Sequence, residues 1–264
     1  MNIGIFDSGI GGMTLLHQAL LSLPNENYIF YADTDHVPYG TKSKEQVIGY
    51  VDEIIRFMLA KECKAVVIAC NTATSVAAES MRKKYDIPII GIEPAVKPAV
   101  EQSEGKRVMV VATPLTVAEK KLKDLVARVD DAHLVDMLPL PKLVSFAERG
   151  EFDSEEVSSY IKEAFSGFDM TKYGELVLGC THFNYFKDTF AKILPPTVQM
   201  IDGSEGTINQ LKRLLEKEGM LGDSKEGQRK GTVRYFMSGR ELTLPDELAR
   251  MQMLHERLEQ MKKL

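Results

Sequence analysis

Residues 66–72 have the sequence Val66-Val67-Ile68-Ala69-Cys70-Asn71-Thr72. A short, continuous apolar run ends at a cysteine, and two hydrogen-bonding residues follow it. A run without polar alternation is typical of a parallel strand that is covered on both faces. Because a helical pattern begins at Ala73, the stretch predicts a strand, a polar turn and a helix, which together form the repeating unit of an open α/β sheet.

The alternation of strand and helix continues along the chain. Strands are predicted at Asn2–Phe6, Tyr28–Ala32, Ala65–Ala69, Ile87–Ile92, Arg107–Ala112, His133–Asp136, Leu176–Gly179 and Gln199–Asp202. Helices are predicted at Met13–Leu23, Lys44–Lys61, Ala73–Lys84, Pro114–Arg128, Ser154–Phe165 and Thr207–Glu218. This order implies right-handed βαβ units. A polar loop at 221–231, a last strand at 232–238 and a helix at 245–263 come after them, and we expect these to pack back on the first part of the chain.

A second stretch resembles the first one. It has the sequence Leu176-Val177-Leu178-Gly179-Cys180-Thr181-His182. The junctions upstream also correspond, since Asp7 lies 63 residues before Cys70 and Thr113 lies 67 residues before Cys180. The echo predicts two comparable α/β halves that meet near residues 93–94. The alternative, that any two strand–helix junctions look alike, stays open at this point.

Composition sets the class of protein. The chain has 264 residues, of which 44% are hydrophobic, and a net charge of −5. These values are typical of a globular protein and argue against a broad nucleic-acid-binding surface. The sequence has neither a membrane-length apolar run nor the pattern of a secretory signal. Three cysteines without a C-x-x-C pair argue against a disulfide framework or structural zinc, and favour a reducing cytoplasm.

Four chemically useful residues fall at predicted strand ends: Asp7, Cys70, Thr113 and Cys180. In open α/β sheets, ligands bind outside the carboxyl ends of the strands. The glycine-rich segment 8–12 can bring backbone N–H groups close to a ligand, and helix starts after both cysteines would add further donors. The segment lacks the spacing of a dinucleotide fingerprint and of a phosphate-binding P-loop. It therefore favours a cradle for a small acidic ligand.

Free cysteines are usually buried and inert, and Cys63 has no context that points beyond this. Cys70 and Cys180 differ because each lies at a strand end beside hydrogen-bonding residues. A redox pair would favour closer spacing, and a single-thiol hydrolase leaves the second junction unexplained. Stereoinversion at a carbon explains both, since one thiol removes a proton and the other donates one to the opposite face. A thiol pKa of about 8.5 suits either role.

Several motifs in this order resemble the glutamate racemases of the aspartate/glutamate racemase superfamily. They span roughly residues 2–205, and they are Gly4-Ile5-Phe6-Asp7-Ser8-Gly9-Ile10-Gly11-Gly12, Val37-Pro38-Tyr39-Gly40, Ala69-Cys70-Asn71-Thr72-Ala73, Ile90-Gly91-Ile92-Glu93-Pro94-Ala95, Ala112-Thr113-Pro114-Leu115-Thr116, Glu148-Arg149-Gly150 and Leu178-Gly179-Cys180-Thr181-His182. The resemblance implies two flavodoxin-like, doubly wound parallel domains related by a pseudo-twofold axis. Their expected bounds are 1–93 plus 206–264 and 94–205, with the active site between them.

The resemblance also implies the roles of individual residues. It implies Cys70 and Cys180 as the two bases, Asp7 assisting the first, and Glu148 and His182 assisting the second. The implied substrate contacts are Asp7, Ser8, Tyr39, Gly40, Asn71, Thr72, Thr113, Thr116, Thr181 and His182. No cofactor and no metal are implied. The implied reaction is cofactor-independent interconversion of L- and D-glutamate, which supplies D-glutamate for bacterial peptidoglycan.

Several alternatives stay open from the sequence. The substrate could be aspartate or another acidic amino acid, and a non-catalytic ligand-binding α/β protein would keep the same cradle. A pyridoxal-phosphate racemase would need a phosphate-binding lysine context, which the sequence lacks. The chain departs from the family after His182, where Phe183-Asn184 replaces the usual aromatic-proline pair. The oligomeric state is open, a homodimer being the commonest arrangement.

Overall fold

The computed structural model describes residues 1–222 and 230–264, which form two separate β-sheets. The strands are β1 (Asn2–Asp7), β2 (Tyr28–Ala32), β3 (Cys63–Ile68), β4 (Ile89–Gly91), β5 (Arg107–Ala112), β6 (Val135–Pro139), β7 (Tyr173–Leu178), β8 (Gln199–Asp202), β9 (Val233–Met237) and β10 (Arg240–Glu241). The helices are α1 (Met13–Ser22), α2 (Lys44–Ala60), α3 (Asn71–Lys84), α4 (Val96–Gln102), α5 (Pro114–Ala118), α6 (Lys120–Val129), α7 (Lys142–Glu148), α8 (Glu155–Phe165), α9 (Lys187–Ile193), α10 (Ser204–Lys217) and α11 (Pro245–Met261).

The two sheets share one strand order. The first is β10-β9-β2-β1-β3-β4 and the second is β6-β5-β7-β8. Every pairing is parallel except that of β9 with β10. Leaving out β9 and β10, each sheet places its first strand between its second and third, with its fourth outside the third. The internal echo in the sequence therefore corresponds to a repeated topology, which confirms the α/β class with two doubly wound parallel sheets.

Apolar strands and capped helices account for these elements. The side chains of β5 from Val108 to Ala112 are fully buried, as a central parallel strand requires. Helix α2 begins with a capping box, in which Ser43 and Gln46 satisfy each other's backbone N–H groups. Thr113 caps α5 by accepting a hydrogen bond from the N–H of Thr116. The same local chemistry that starts these helices thus places polar side chains at the strand ends.

The last part of the chain returns to the first sheet, as the sequence led us to expect. Strand β9 pairs in parallel with β2, so that Phe30 lies opposite Tyr235. Helix α11 packs against α1. Of the predicted polar loop at 221–231, residues 223–229 lie outside the described part of the chain. The proposed boundaries near 93 and 205 stay predictions, supported by the change of sheet across each of them.

One predicted helix is interrupted in the structure, and three short helices were not predicted. The single helix expected at Pro114–Arg128 is interrupted at Glu119, whose backbone is extended with φ −66° and ψ 137°. The Glu119 carboxylate at this break forms an ion pair of 2.9 Å with Lys44 of the first half. Helices α4, α7 and α9 were not predicted, because each has seven residues and shows too little periodicity to recognise. Among the described helices, none is both long and apolar enough to span a bilayer.

Candidate active site

One cavity lies between the carboxyl ends of the two sheets, where β1, β3, β5 and β7 end. The predicted site residues that line it are Asp7, Ser8, Tyr39, Gly40, Cys70, Asn71, Thr72, Thr113, Cys180, Thr181 and His182. Pro38, which belongs to the motif Val37-Pro38-Tyr39-Gly40, also lines it, as does Val144, which lies outside every motif quoted above. Two other predicted site residues do not line the cavity but contact residues that do: Thr116 lies beside Thr72, and Glu148 is hydrogen-bonded to His182. The cavity measures about 10 Å³, which is room for about one water molecule.

A larger cavity of about 690 Å³ lies elsewhere, beside the ends of β4 and β8. Its charged lining includes Arg82, Glu93 and Arg128, and it contains no cysteine or histidine. Size alone therefore does not identify the reactive site. The small cavity is the candidate because it combines two thiols, an imidazole and a buried carboxylate.

The first thiol, Cys70, lies at the N-terminus of α3 and reaches a carboxylate through a hydroxyl. Its Sγ accepts a hydrogen bond from the N–H of Ala73 at 3.4 Å and lies 3.8 Å from Ser8 Oγ. Ser8 Oγ in turn donates to Asp7 Oδ1 at 3.1 Å. Burial raises the pKa of the Cys70 thiol, and the nearby Asp7 carboxylate raises it further. The chain from Cys70 through Ser8 to Asp7 is a path along which a proton can move.

The second thiol, Cys180, is paired with an imidazole and a carboxylate. His182 Nδ1 lies 3.8 Å from Cys180 Sγ, and His182 Nε2 donates to Glu148 Oε1 at 2.6 Å. Burial alone would lower the pKa of His182, but its contacts with Cys180 and Glu148 raise it well above 6.5. A protonated His182 stabilises a thiolate at Cys180. The two thiols therefore have different partners although they occupy equivalent strand ends.

Part of the glycine-rich segment, which the sequence predicts to be a ligand cradle, contacts side chains of the second half. The N–H of Ile10 donates to Glu148 Oε1 at 2.8 Å, and the N–H of Gly11 faces His182 Nε2 at 3.3 Å. A Cβ at Gly9 would lie 1.8 Å from Glu148 Oε1. These glycines therefore let the backbone of the first half approach the side chains that serve Cys180. Two of the N–H groups expected to face a ligand face protein groups instead.

Asp7 connects the two halves directly. Its Oδ2 accepts a hydrogen bond of 2.6 Å from the hydroxyl of Thr181, the residue after Cys180. Burial raises the pKa of Asp7, while the charge of His182 and the hydrogen bonds from Thr181 and Ser8 lower it. Thr181 and His182 begin a 3₁₀ turn, Thr181–Phe186, and not the α-helix that the sequence led us to expect. The turn is too short to offer the dipole of a full helix.

Three threonine hydroxyls form a second connection between the halves. Thr72 at the start of α3 lies 3.0 Å from Thr113 and 3.1 Å from Thr116, measured between Oγ1 atoms. Thr113 and Thr116 are themselves 3.0 Å apart. A Cβ at Gly40 would lie 2.7 Å from the Cβ of Thr113. The halves therefore meet too closely at this position for any residue larger than glycine. Three of the predicted substrate contacts are thus hydrogen-bonded to one another.

Asn71 differs from the other predicted substrate contacts described here because its side-chain amide has no hydrogen-bond partner in the protein. Its residue is 4% exposed, and neither its side-chain oxygen nor its nitrogen has a hydrogen-bond partner. A buried amide without partners costs about 1–3 kcal/mol relative to a satisfied one. Because Asn71 lines the cavity beside Cys70, its amide is available to a ligand there.

Tyr39 depends on a residue that the sequence analysis missed. Its hydroxyl donates to Asp33 Oδ2 at 2.5 Å, and the carboxylate of Asp33 also contacts His36. Burial and the charge of Asp33 raise the pKa of Tyr39. Asp33 follows β2 directly, so its position at the same sheet edge as Asp7 was a usable signal. The hydroxyl of Tyr39 is therefore hydrogen-bonded to Asp33, while the residue lines the cavity.

Cys63 lies at the opposite end of β3 from Cys70. It is buried, and its thiol contacts Met58 Sδ at 3.8 Å. Burial raises its pKa to about 12, which keeps it a neutral thiol. In the described part of the chain, no three His, Cys, Asp or Glu side chains are placed to hold a metal ion.

Comparison with known proteins gives a consistent family. Residues 13–211 match the family described as Asp/Glu/Hydantoin racemase. A glutamate racemase from Lachnospira eligens is 52% identical over 266 residues, which cover 100% of each chain. The match therefore extends over both sheets and the C-terminal helix.

Solved structures have the same fold. A glutamate racemase isoform from Bacillus anthracis superposes with a TM-score of 0.82 at 28% identity, covering 97% of this chain and 92% of the other. A glutamate racemase from Francisella tularensis, solved in complex with D-glutamate, has a TM-score of 0.79 at 30% identity and covers 98% and 93%.

Proposed function

Because this chain belongs to the Asp/Glu/hydantoin racemase family, we propose that it interconverts L- and D-glutamate with Cys70 and Cys180 as the two proton-transfer groups. It is an isomerase. Each thiol serves as the base for one enantiomer and as the acid for the other. The observation that carries the proposal is that both thiols line one cavity while each has its own acid–base partner.

The two half-reactions use these partners differently. At the first thiol, the Cys70 proton passes to Asp7 by way of the Ser8 hydroxyl, which accepts from sulfur and donates to the carboxylate. At the second, protonated His182 stabilises the Cys180 thiolate and Glu148 holds the imidazolium in place. A thiol with a pKa near 8.5 in water can act as acid or base near neutral pH. Burial raises the pKa of Cys70, so its proton leaves together with the transfer to Asp7. The thiolate removes the Cα proton, and the opposite thiol returns one to the other face.

The groups available to bind substrate are the unpaired amide of Asn71 and the threonine hydroxyls that connect the two halves. Asn71 can donate to one substrate carboxylate, while Thr72 and Thr113 offer hydroxyls that now bond to each other. A hydroxyl hydrogen can rotate about its C–O bond, so these groups can exchange their mutual hydrogen bond for one to a ligand. Glutamate is favoured over other acidic amino acids because relatives of this chain are named glutamate racemases and one was solved with D-glutamate.

The wider role is part of the same proposal. D-Glutamate formed here supplies bacterial peptidoglycan synthesis. Working thiols require reducing conditions, so we place the enzyme in the cytoplasm, which agrees with three free cysteines in the structure. The reacting groups come from two units, 1–93 plus 206–264 and 94–205.

Exchange of the Cα proton in D₂O tests the two-thiol mechanism. Cys70→Ser should abolish exchange for one enantiomer and retain it for the other, since Cys180 still abstracts a proton and returns deuterium. Cys180→Ser should have the reverse selectivity. Cys63→Ser is the matched control and should leave both rates unchanged. Equal loss for both enantiomers in one cysteine variant, with the other variant silent, would refute the mechanism. L-Aspartate is assayed beside L-glutamate, and faster turnover of L-aspartate would refute the substrate assignment.

A further inference from the structure

The C-terminal helix α11 contacts the turn that carries the second thiol. The chain enters α11 directly from β10 at the edge of the first sheet, and the helix packs on α1. Its other side reaches the 3₁₀ turn Thr181–Phe186 of the second half. Nothing in the proposed proton transfer uses this helix. Its contacts therefore require a separate explanation.

Arg257 makes the main polar connection. Its Nε and Nη2 both donate to the backbone carbonyl of Tyr185, at 3.2 and 2.9 Å. Nη2 also donates to the carboxylate of Asp188 at 2.7 Å. The guanidinium side chain is 15% exposed and lies 5.4 Å from the ring centroid of Phe152, which stacks on Tyr185. The planar group is thus fixed by three hydrogen bonds and an aromatic face.

The turn is buried, and its other contacts with the first half involve the backbone and hydroxyl of Thr181 and the hydroxyl of Tyr185, not the Tyr185 carbonyl. Short 3₁₀ turns leave their last carbonyls without partners inside the turn. Asn184 donates to the carbonyl of Thr181 at a long 3.4 Å, and it lacks the ring that would restrict the backbone if proline stood there. The Tyr185 hydroxyl donates to Ile10 of the first half at 3.1 Å. Tyr185 is therefore held at its hydroxyl by the glycine-rich segment and at its carbonyl by α11.

We propose that Arg257 is a positioning residue for the second thiol, because it fixes the turn that carries Cys180 and His182 relative to the first half. The inference rests on the proposed two-thiol function. Arg257 does not touch the reacting atoms. Through Tyr185 it sets how far Cys180 lies from the substrate carbon, and misplacement by about 1 Å can cost on the order of 100-fold in rate.

Isotope effects test this proposal. Arg257→Gln should lower kcat/KM by about tenfold, because Cys180 is then less well placed. The loss should be equal for both enantiomers, because an enzyme variant cannot change the equilibrium constant between them. With Cα-deuterated substrates, the isotope effect on kcat/KM should rise for the enantiomer that Cys180 deprotonates. It should fall for the enantiomer that Cys70 deprotonates, because reprotonation by Cys180 then limits the rate. Arg257→Lys should give intermediate values. Arg213→Gln, an exposed arginine on α10, should change neither.

A second measurement is independent of turnover. Alkylation of each cysteine by iodoacetamide is followed by mass spectrometry, and Arg257→Gln should speed the reaction of Cys180 and leave Cys70 unchanged. Unchanged Cys180 alkylation, or isotope effects that move in the same direction for both enantiomers, would overturn the proposal. If the glutamine variant does not fold, as judged by circular dichroism, Arg257→Lys and Asp188→Asn carry both measurements. An unsubstituted protein that fails to racemise glutamate would refute the proposed function, while the alkylation result would still decide whether Arg257 orders the turn.

Discussion

The side chain of Asn71 is buried with both polar atoms unpaired, whereas Thr74, one turn later on α3, donates to the carbonyl of Ile68 at 3.2 Å. Asn71→Ala should therefore leave the free energy of unfolding unchanged or raise it by about 1 kcal/mol, because an unsatisfied amide is removed. The same change should raise the KM for glutamate about tenfold, since the amide is available only to a ligand.

Thr74→Ala is the control for that comparison. It removes a satisfied hydrogen bond and should lower the free energy of unfolding by about 1 kcal/mol with little change in KM. Urea denaturation and steady-state kinetics measure both quantities. Destabilisation by Asn71→Ala with an unaltered KM would show that the amide serves the fold and not the substrate.

The pair Glu148–His182 makes a prediction about pH. Glu148→Gln keeps an oxygen for the N–H of Ile10 but removes the negative charge, so the pKa of His182 should fall. Since the folded-state pKa lies above the ordinary value of 6.5, the stabilisation is complete below pH 6.5 and is lost as pH rises through the folded-state pKa. NMR titration of the imidazole and denaturation at several pH values measure the effect. An unchanged titration would contradict the assigned cause.

The sequence identified reactive residues better than the contacts among them. Cys70 and Cys180 could be singled out because thiols at strand ends are unusual, and both line the cavity. Asp33 and Arg257 were missed. Asp33 could have been noticed because it follows β2 directly, but its contact with Tyr39 could not be read from the sequence. Arg257 lies within a helix, and no local pattern indicates its contact with Tyr185.

At the level of elements, the crossing between the halves depends on Gly203. A Cβ there would lie 2.1 Å from the carbonyl oxygen of Glu93, so the two connecting segments touch backbone to backbone. Gly203→Ala should lower the free energy of unfolding by about 1–3 kcal/mol, because neither backbone can yield easily.

Gly206, three residues later inside α10, offers the matched comparison. Nothing lies within 4 Å of a Cβ at that position. Gly206→Ala should be neutral or stabilising by roughly 0.5–1 kcal/mol, since alanine favours helix. Urea denaturation of the two variants side by side measures the difference. Similar stabilities for both would show that the crossing is not tightly packed.

Element boundaries follow local patterns only where no distant partner intervenes. Strand β5 begins and ends where its apolar run predicted. Helix α5 ends at Ala118, just before Glu119, which pairs with Lys44 from the other half; no short window of sequence contains both residues. The 3₁₀ turn after Cys180 is similar, since Asp7 and Ile10 hold it from the first half.

For the whole molecule, the small cavity must widen before it can hold substrate, and we expect the halves to separate when substrate enters. About 10 Å³ cannot hold an amino acid. Hydrogen exchange should therefore slow at residues 8–12 when D-glutamate binds, because the N–H of Ile10 donates across the interface to Glu148. Peptides from β7, buried within one half, are the control. Unchanged exchange at 8–12 under saturating D-glutamate would contradict entry by opening.

The topology of the whole molecule was predictable because it repeats. Two strand–cysteine–polar junctions with similar offsets from Asp7 and Thr113 correspond to two sheets with the same strand order. How the halves meet could not be predicted, since it depends on Gly9, Gly40 and the threonine hydroxyls fitting across the interface.

The pairing of β9 with β2 has a consequence for biosynthesis. Residues 107–202 form one sheet from a continuous segment, whereas the first sheet needs residues 233–237 beside 28–32. During translation, all the strands of the second sheet are therefore available before the first sheet has received its strand β9. Nascent chains usually fold from the N-terminus onward. Here the N-terminal strands emerge first, and β2 acquires its neighbour β9 only after residues 233–237 have been synthesised.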